Sequence, residues 1–85
     1  MTVRITETPG SIRRLRVEGR LAGDAVHELE QLVGADPKCV CLELDELRWA
    51  DEAGLLLLRR LRASGFALRD TPTFLALRIA DDPDH

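Results

Sequence analysis

The sequence lacks any long hydrophobic run. Its longest uninterrupted aliphatic stretch, Leu55 to Leu58, is far shorter than the roughly 20 residues of a membrane-spanning helix. The N-terminus also lacks the apolar core of a signal peptide. A basic excess is absent too, because 12 lysines and arginines stand against 15 aspartates and glutamates, for a net charge of −3. We therefore expect a cytoplasmic protein with no membrane span and no nucleic-acid partner.

Cysteine is scarce, and the two cysteines, Cys39 and Cys41, stand in an apolar stretch. A strand would place both on one face without the geometry of a good disulfide, so we interpret them as reduced core residues. His27 is separated from them by a predicted helix end and a turn, and two cysteines without nearby histidines fall short of a metal site. We expect no metal and no cofactor.

What the sequence does contain is the composition of one small globular domain. Its 85 residues are 45% hydrophobic and 32% charged, which argues against disorder and allows a single core. No internal repeat or low-complexity tract is present. We place the domain at residues 1–80 and expect the polar segment 81–85 to be a frayed tail.

The first half of the chain predicts a β-hairpin followed by a helix. Val3 and Ile5 alternate with polar residues, and a turn containing Pro9 and Gly10 follows, in the positions that a type II turn favours. The returning strand has two different faces, one apolar (Leu15, Val17, Gly19, Leu21) and one charged (Arg14, Arg16, Glu18, Arg20). The arginine row suits an anion patch, but a solvated sheet face explains it as well, and we assign no site to it.

The second half of the chain predicts alternating helices and strands. Helical spacing covers Asp24 to Val33, and consecutive apolar residues from Lys38 to Leu44 indicate a central strand buried on both faces. The remaining predicted elements are a helix from Asp51 to about Ser64, a short strand at Phe66–Arg69 and a last helix after Thr71-Pro72. The class is α/β, a small mixed sheet with an opening antiparallel hairpin, then parallel βα units, and about three helices.

Four consecutive leucines in the second predicted helix cannot all face one sheet. At 100° per residue, Leu58 and Leu61 with either Leu55 or Leu57 form the buried stripe. Leu56 then points toward the outer side with Arg59 and Arg60, which makes it a candidate contact point for a partner.

The segment Asp51-Glu52-Ala53-Gly54-Leu55, after a hydrophobic strand and a loop, resembles the STAS domain family, which is named for sulfate transporters and anti-sigma factor antagonists. That family typically opens its second helix with an aspartate-serine-serine-glycine-leucine run. Shorter resemblances are Val17-Glu18-Gly19-Arg20-Leu21, Glu28-Leu29 and Arg62-Ala63-Ser64-Gly65. Together they span about residues 13 to 79.

Two departures from the family pattern bear on function. The usual phosphoacceptor serine aligns with Ala53, which has no hydroxyl, so the kinase switch of the family is not expected here. A final strand and helix found in longer members are not expected after Ile79, which would leave the strand at Phe66 with an unpaired edge. Glu52 supplies one permanent negative charge where the family's phosphoserine would add up to about two.

The resemblance implies a bacterial regulatory protein-binding module rather than an enzyme. The expected partner is a protein, such as an anti-sigma factor or a kinase-like regulator, and homodimerisation is an open expectation. The expected partner-binding residues are at the start of the second helix: Asp51, Glu52, Ala53, Gly54, Leu56 and Arg60. Asp51 and Glu52 also have a purely structural explanation, because carboxylates cap helix starts and favour the helix dipole.

Three alternatives remain at this point. The same fold serves as an accessory subunit in transport or stress-signalling complexes. A cluster of four acids, Asp45, Glu46, Asp51 and Glu52, suggests paired carboxylates or a divalent-cation site, although no serine, cysteine or histidine is placed as a nucleophile-base pair. The third alternative is nucleotide binding, which is disfavoured because the sequence contains no glycine-rich phosphate loop.

Overall fold

The computed structural model describes residues 3–80 of the chain. Within them lie five strands and three helices, which confirms the predicted α/β class. The expected tail 81–85 lies outside the described residues. In chain order the elements are β1 (Val3–Thr8), β2 (Arg13–Leu21), α1 (Asp24–Val33), β3 (Val40–Glu43), β4 (Leu47–Ala50), α2 (Glu52–Ala63), β5 (Ala67–Arg69) and α3 (Thr73–Ala80).

The sheet is mixed, as predicted, but its centre is β2, which pairs with three strands, and not the strand within residues 38–44 that the sequence indicated. Antiparallel β1 pairs along one side of β2. On the other side, β3 pairs in parallel with the first half of β2 and β4 pairs in parallel with its last residues. β5 then pairs in parallel with β3 and forms an edge of the described sheet, so the expected unpaired edge is confirmed for residues 3–80.

The core lies between one face of the sheet and the helices. Leu15, Val17 and Leu21 of the apolar row of β2 are fully buried, as the period-2 alternation predicted, whereas Gly19 of the same row is only partly buried. It packs with β3 and with the buried stripe of α2 in one cluster that also includes Leu75 of α3. The buried α2 residues are Gly54, Leu55, Leu57, Leu58 and Leu61, whereas Leu56 is 54% exposed, as expected from its position on the helix.

The β1–β2 hairpin is tied to α1 by one arginine. Arg13 donates two hydrogen bonds of 3.0 Å to the Glu7 carboxylate and a third, of 2.9 Å, to the backbone carbonyl of Leu32. The bonds from Arg13 hold the pKa of the Glu7 carboxyl below its usual range. The turn itself differs from the prediction, because Gly10 lacks the positive φ that a type II turn requires at that position.

Strand β4 differs from the sequence analysis, which predicts no strand between Leu44 and the helix that begins at Asp51. The segment is only four residues long and has no simple alternation, since Leu47 and Ala50 are buried and the two residues between them are exposed. Its strand conformation depends on pairing with β2, whose register shifts between Gly19 and Arg20. Gly19 has φ 87°, a conformation that glycine adopts without strain.

The prediction that both cysteines are core residues is wrong for Cys39. Cys41 is buried in β3, but Cys39 is exposed because the strand begins one residue later, at Val40. Cys39 lies in a turn where its thiol donates a hydrogen bond of 3.2 Å to the Asp36 carboxylate. That bond and the negative charge of Asp36 raise the pKa of the Cys39 thiol.

Alkylation by iodoacetamide is therefore expected to modify Cys39 alone in the folded protein, and slowly for an exposed thiol. A raised pKa lowers the thiolate fraction at neutral pH, and the thiolate is the reactive form. Removing the negative charge with Asp36→Asn should lower that pKa and accelerate the reaction. Mass spectrometry of the labelled protein over time measures both effects, and equal rates with and without Asp36→Asn would contradict the explanation.

Candidate functional site

The start of α2 is held in place by Asp51, the residue that follows β4. Its backbone is extended, and its carboxylate accepts a hydrogen bond of 2.7 Å from the Gly54 N–H, which is an N-cap. The second carboxylate oxygen accepts a bond of 3.2 Å from the Gly23 N–H at the start of α1. One side chain thus fixes the starts of two helices, and it is half-buried in doing so.

Gly54 lies where α2 makes a close approach to β2. A Cβ atom at this position would stand 2.8 Å from the backbone oxygen of Leu21 and 3.3 Å from the Cβ of Ala50. The same Leu21 oxygen accepts a hydrogen bond of 3.0 Å from the Asp51 N–H. Gly54 is buried, so it shapes the site by packing and offers no surface of its own.

The exposed side of the α2 start has a simple order along the helix. Glu52, Leu56 and Arg60 stand four residues apart, so they lie in one line on the helix surface. All three are exposed, and Ala53 is exposed beside them. We call Glu52, Ala53, Leu56 and Arg60 the α2 stripe. It presents a carboxylate, an apolar centre and a guanidinium in that order.

The Arg60 end of the α2 stripe is connected to α1. The Arg60 guanidinium makes an ion pair with one oxygen of the Glu30 carboxylate. The Nδ1 atom of His27 lies 3.9 Å from the other oxygen of that carboxylate. By contrast, Glu52 makes no ion pair within residues 3–80, and it stands in the first turn of α2, where a negative charge interacts favourably with the helix dipole. The acidic end of the stripe is therefore the one open to a charged partner.

The four acids that suggested a cation site have separate surroundings. Asp45 is bound to Arg16 at 3.2 Å, and with Glu46 it lines an open cleft of about 280 Å³ beside the start of α3. Asp51 is occupied by its two backbone bonds. Across residues 3–80, no group of three or more histidine, cysteine or acidic side chains is placed to hold a metal ion.

Sequence reasoning missed one exposed pair close to this site. Trp49, two residues before Asp51, is 43% exposed, and the guanidinium of Arg20 stands 4.5 Å from the centre of its ring. The distance is that of a cation–π contact. The sequence contained one signal for this pair. Trp49 is the only tryptophan of the chain, and tryptophan is a residue type that favours strands.

Comparison with models of known protein families and with curated proteins finds no match for this chain. In the described part of the chain, residues 3–80, none of the helices has the length and apolar character needed to cross a membrane.

Proposed function

We propose that the protein is a non-catalytic regulatory module of the STAS type, which docks a partner protein through the α2 stripe and needs no serine phosphorylation. The observation that carries the proposal is the exposed position of Glu52, Ala53 and Leu56 beside a helix start that is fixed by Asp51. Packing does not require these three exposed side chains. These side chains are therefore available for contact with a partner protein.

The chemistry of the α2 stripe defines the partner surface that fits it. A basic group opposite Glu52 and an apolar pocket for Leu56 complement the stripe, because desolvated apolar side chains supply affinity while charges set orientation. An anti-sigma factor or a kinase-like regulator with such a surface is the proposed partner. Ala53 stands where the resembling family carries its phosphoacceptor, so docking is constitutive and is controlled by partner concentration.

An accessory subunit of a transport or stress-signalling complex would use the same stripe. The two assignments differ in the partner and not in the docking residues. Identification of the protein that co-purifies with the chain from its host distinguishes a cytoplasmic regulator from a transport or stress-signalling assembly.

The double substitution E52K/L56K is expected to reduce recovery of the co-purifying partner by at least about tenfold, since it reverses the charge and removes the apolar centre. The protein itself should keep its fold, because both side chains are exposed. Affinity purification of the tagged full-length chain with quantitative mass spectrometry measures the effect, and circular dichroism checks the fold.

Leu77→Lys is the matched control, because Leu77 is a 69% exposed leucine on α3 and is not a member of the α2 stripe. It should leave partner recovery unchanged. The proposal fails if E52K/L56K retains every partner of the unmodified protein. It also fails in part if a host kinase phosphorylates the segment 51–55 stoichiometrically, since docking would then not be constitutive.

A further inference from the structure

Within residues 3–80, all three helices pack on the core side of the sheet, and the opposite sheet face is rich in arginine. Strand registers place one set of side chains from all five strands on this face, which we call the open sheet face. Its exposed charged members include five arginines, whereas the carboxylates in register with them are Glu18 and Glu43, both only partly exposed. The arginines are Arg4, Arg14, Arg16, Arg20 and Arg69.

This positive face belongs to a chain whose net charge is −3. Acidic residues are therefore concentrated elsewhere, and the open sheet face is a local basic area on an acidic protein. Part of its charge is balanced internally, because Arg14 lies 3.9 Å from Glu43 and Arg16 lies 3.2 Å from Asp45. Among residues 3–80, Arg4 and Arg69 make no ion pair, so their charges remain available to a ligand.

The third available cation is Arg20, which lies over the Trp49 ring. Stacking leaves the guanidinium N–H groups free to bind a carboxylate, and the ring gives the site an apolar centre. Tryptophan and arginine are the residue types most enriched among the strongest contributors to protein–protein binding. The open sheet face thus combines free cations with a partly exposed aromatic anchor.

We propose that the open sheet face is a second docking surface, which binds an acidic protein segment. Charge complementarity identifies the occupant as acidic. Glu18 and Glu43 stand among the arginines and would repel the continuous phosphate backbone of a nucleic acid, as would the acidic remainder of the chain. Carboxylates of a protein segment, spaced along an extended chain, can instead meet individual arginines.

The proposal goes beyond the function assigned to the α2 stripe and uses none of its residues. A module with both surfaces would bring two proteins together, one on the α2 stripe and one on the open sheet face.

Titration of the full-length protein with poly-L-glutamate tests this inference at low ionic strength. Trp49 is the only tryptophan, so its fluorescence reports directly on the open sheet face. A saturable change in Trp49 emission is expected, and it should disappear at about 0.5 M salt, where exposed charges are screened. The double substitution R4E/R69E should weaken the apparent affinity by at least about tenfold.

The matched control K38E/R62E makes the same change in net charge at exposed positions outside this face, before β3 and on α2. It should retain affinity within about threefold, and E52K/L56K should retain it as well, which separates this test from that of the α2 stripe. R4Q/R69Q repeats the measurement if R4E/R69E does not fold.

Three results would overturn the proposal: no saturable change in Trp49 emission, equal weakening by R4E/R69E and K38E/R62E, or tighter binding of poly-uridylate or phosphatidylserine vesicles than of poly-L-glutamate.

Discussion

Asp51→Ala is expected to lower the free energy of unfolding by about 2 kcal/mol and the Tm by about 10 °C. The substitution removes the N-cap of α2, which alone contributes about 1 kcal/mol. It also leaves the Gly23 N–H at the start of α1 without its carboxylate partner. Because the site is only half-buried, water replaces part of that second bond, and the sum remains near 2 kcal/mol.

Asp24→Ala is the matched control for this prediction. Asp24 carries the same side chain in the first turn of α1, but no side-chain cap is made there. Its removal should therefore cost only the favourable interaction with the helix dipole, about 0.5 kcal/mol. Thermal and urea denaturation of the two variants measure the difference, and equal destabilisation would show that the Asp51 hydrogen bonds contribute nothing beyond charge.

Gly54→Ala is expected to destabilise the protein by about 1 kcal/mol, although alanine is the better helix former. Propensity alone would favour alanine by about 1 kcal/mol. The new Cβ would meet the Leu21 backbone oxygen at 2.8 Å, a contact with rigid backbone that is relieved only if α2 moves away from β2. That movement would also stretch the bond from the Asp51 N–H to the same oxygen. Overpacking of this kind typically costs about 1 to 3 kcal/mol. A cost of about 2 kcal/mol against a propensity gain of about 1 kcal/mol leaves a net loss of about 1 kcal/mol.

The same chemical change at Gly10 provides the control. A Cβ there would lie 3.4 Å from its nearest neighbour, an ordinary contact, and the backbone needs no positive φ. Gly10→Ala should therefore be neutral or stabilise the protein by about 0.5 kcal/mol through the unfolded state. If Gly54→Ala were instead as stable as the unmodified protein in urea denaturation, the close approach of α2 to β2 would not be a constraint.

These two positions change how the Asp51–Leu55 motif is understood. Asp51 and Gly54 were both expected to bind a partner, and the structure gives each a definite task in positioning α2. In the proposed function, recognition therefore rests on the exposed members of the motif, Glu52 and Ala53, and on Leu56 one turn further along the helix. A variant series for binding should therefore begin with the α2 stripe and use Asp51 and Gly54 as probes of stability.

The features that depend on local pattern follow from the order of the residues along the chain. Alternation identified the buried row of β2, and helical spacing identified α1 within the limits Asp24–Val33 that the structure has. The same spacing predicted that Leu56 is exposed among four leucines. These predictions succeeded because side-chain direction follows from the backbone period, which neighbouring residues set. The family resemblance and the docking function stay predictions.

The features that join distant segments depend instead on how the strands and helices pack against one another. β4 exists because β2 pairs with it, and Cys39 is exposed because β3 begins at Val40. The second bond of Asp51 reaches a residue 28 positions earlier, and the tight position of Gly54 depends on Leu21. Such contacts follow from how strands and helices are assembled in space, and neither periodicity nor residue type specifies the distances between them.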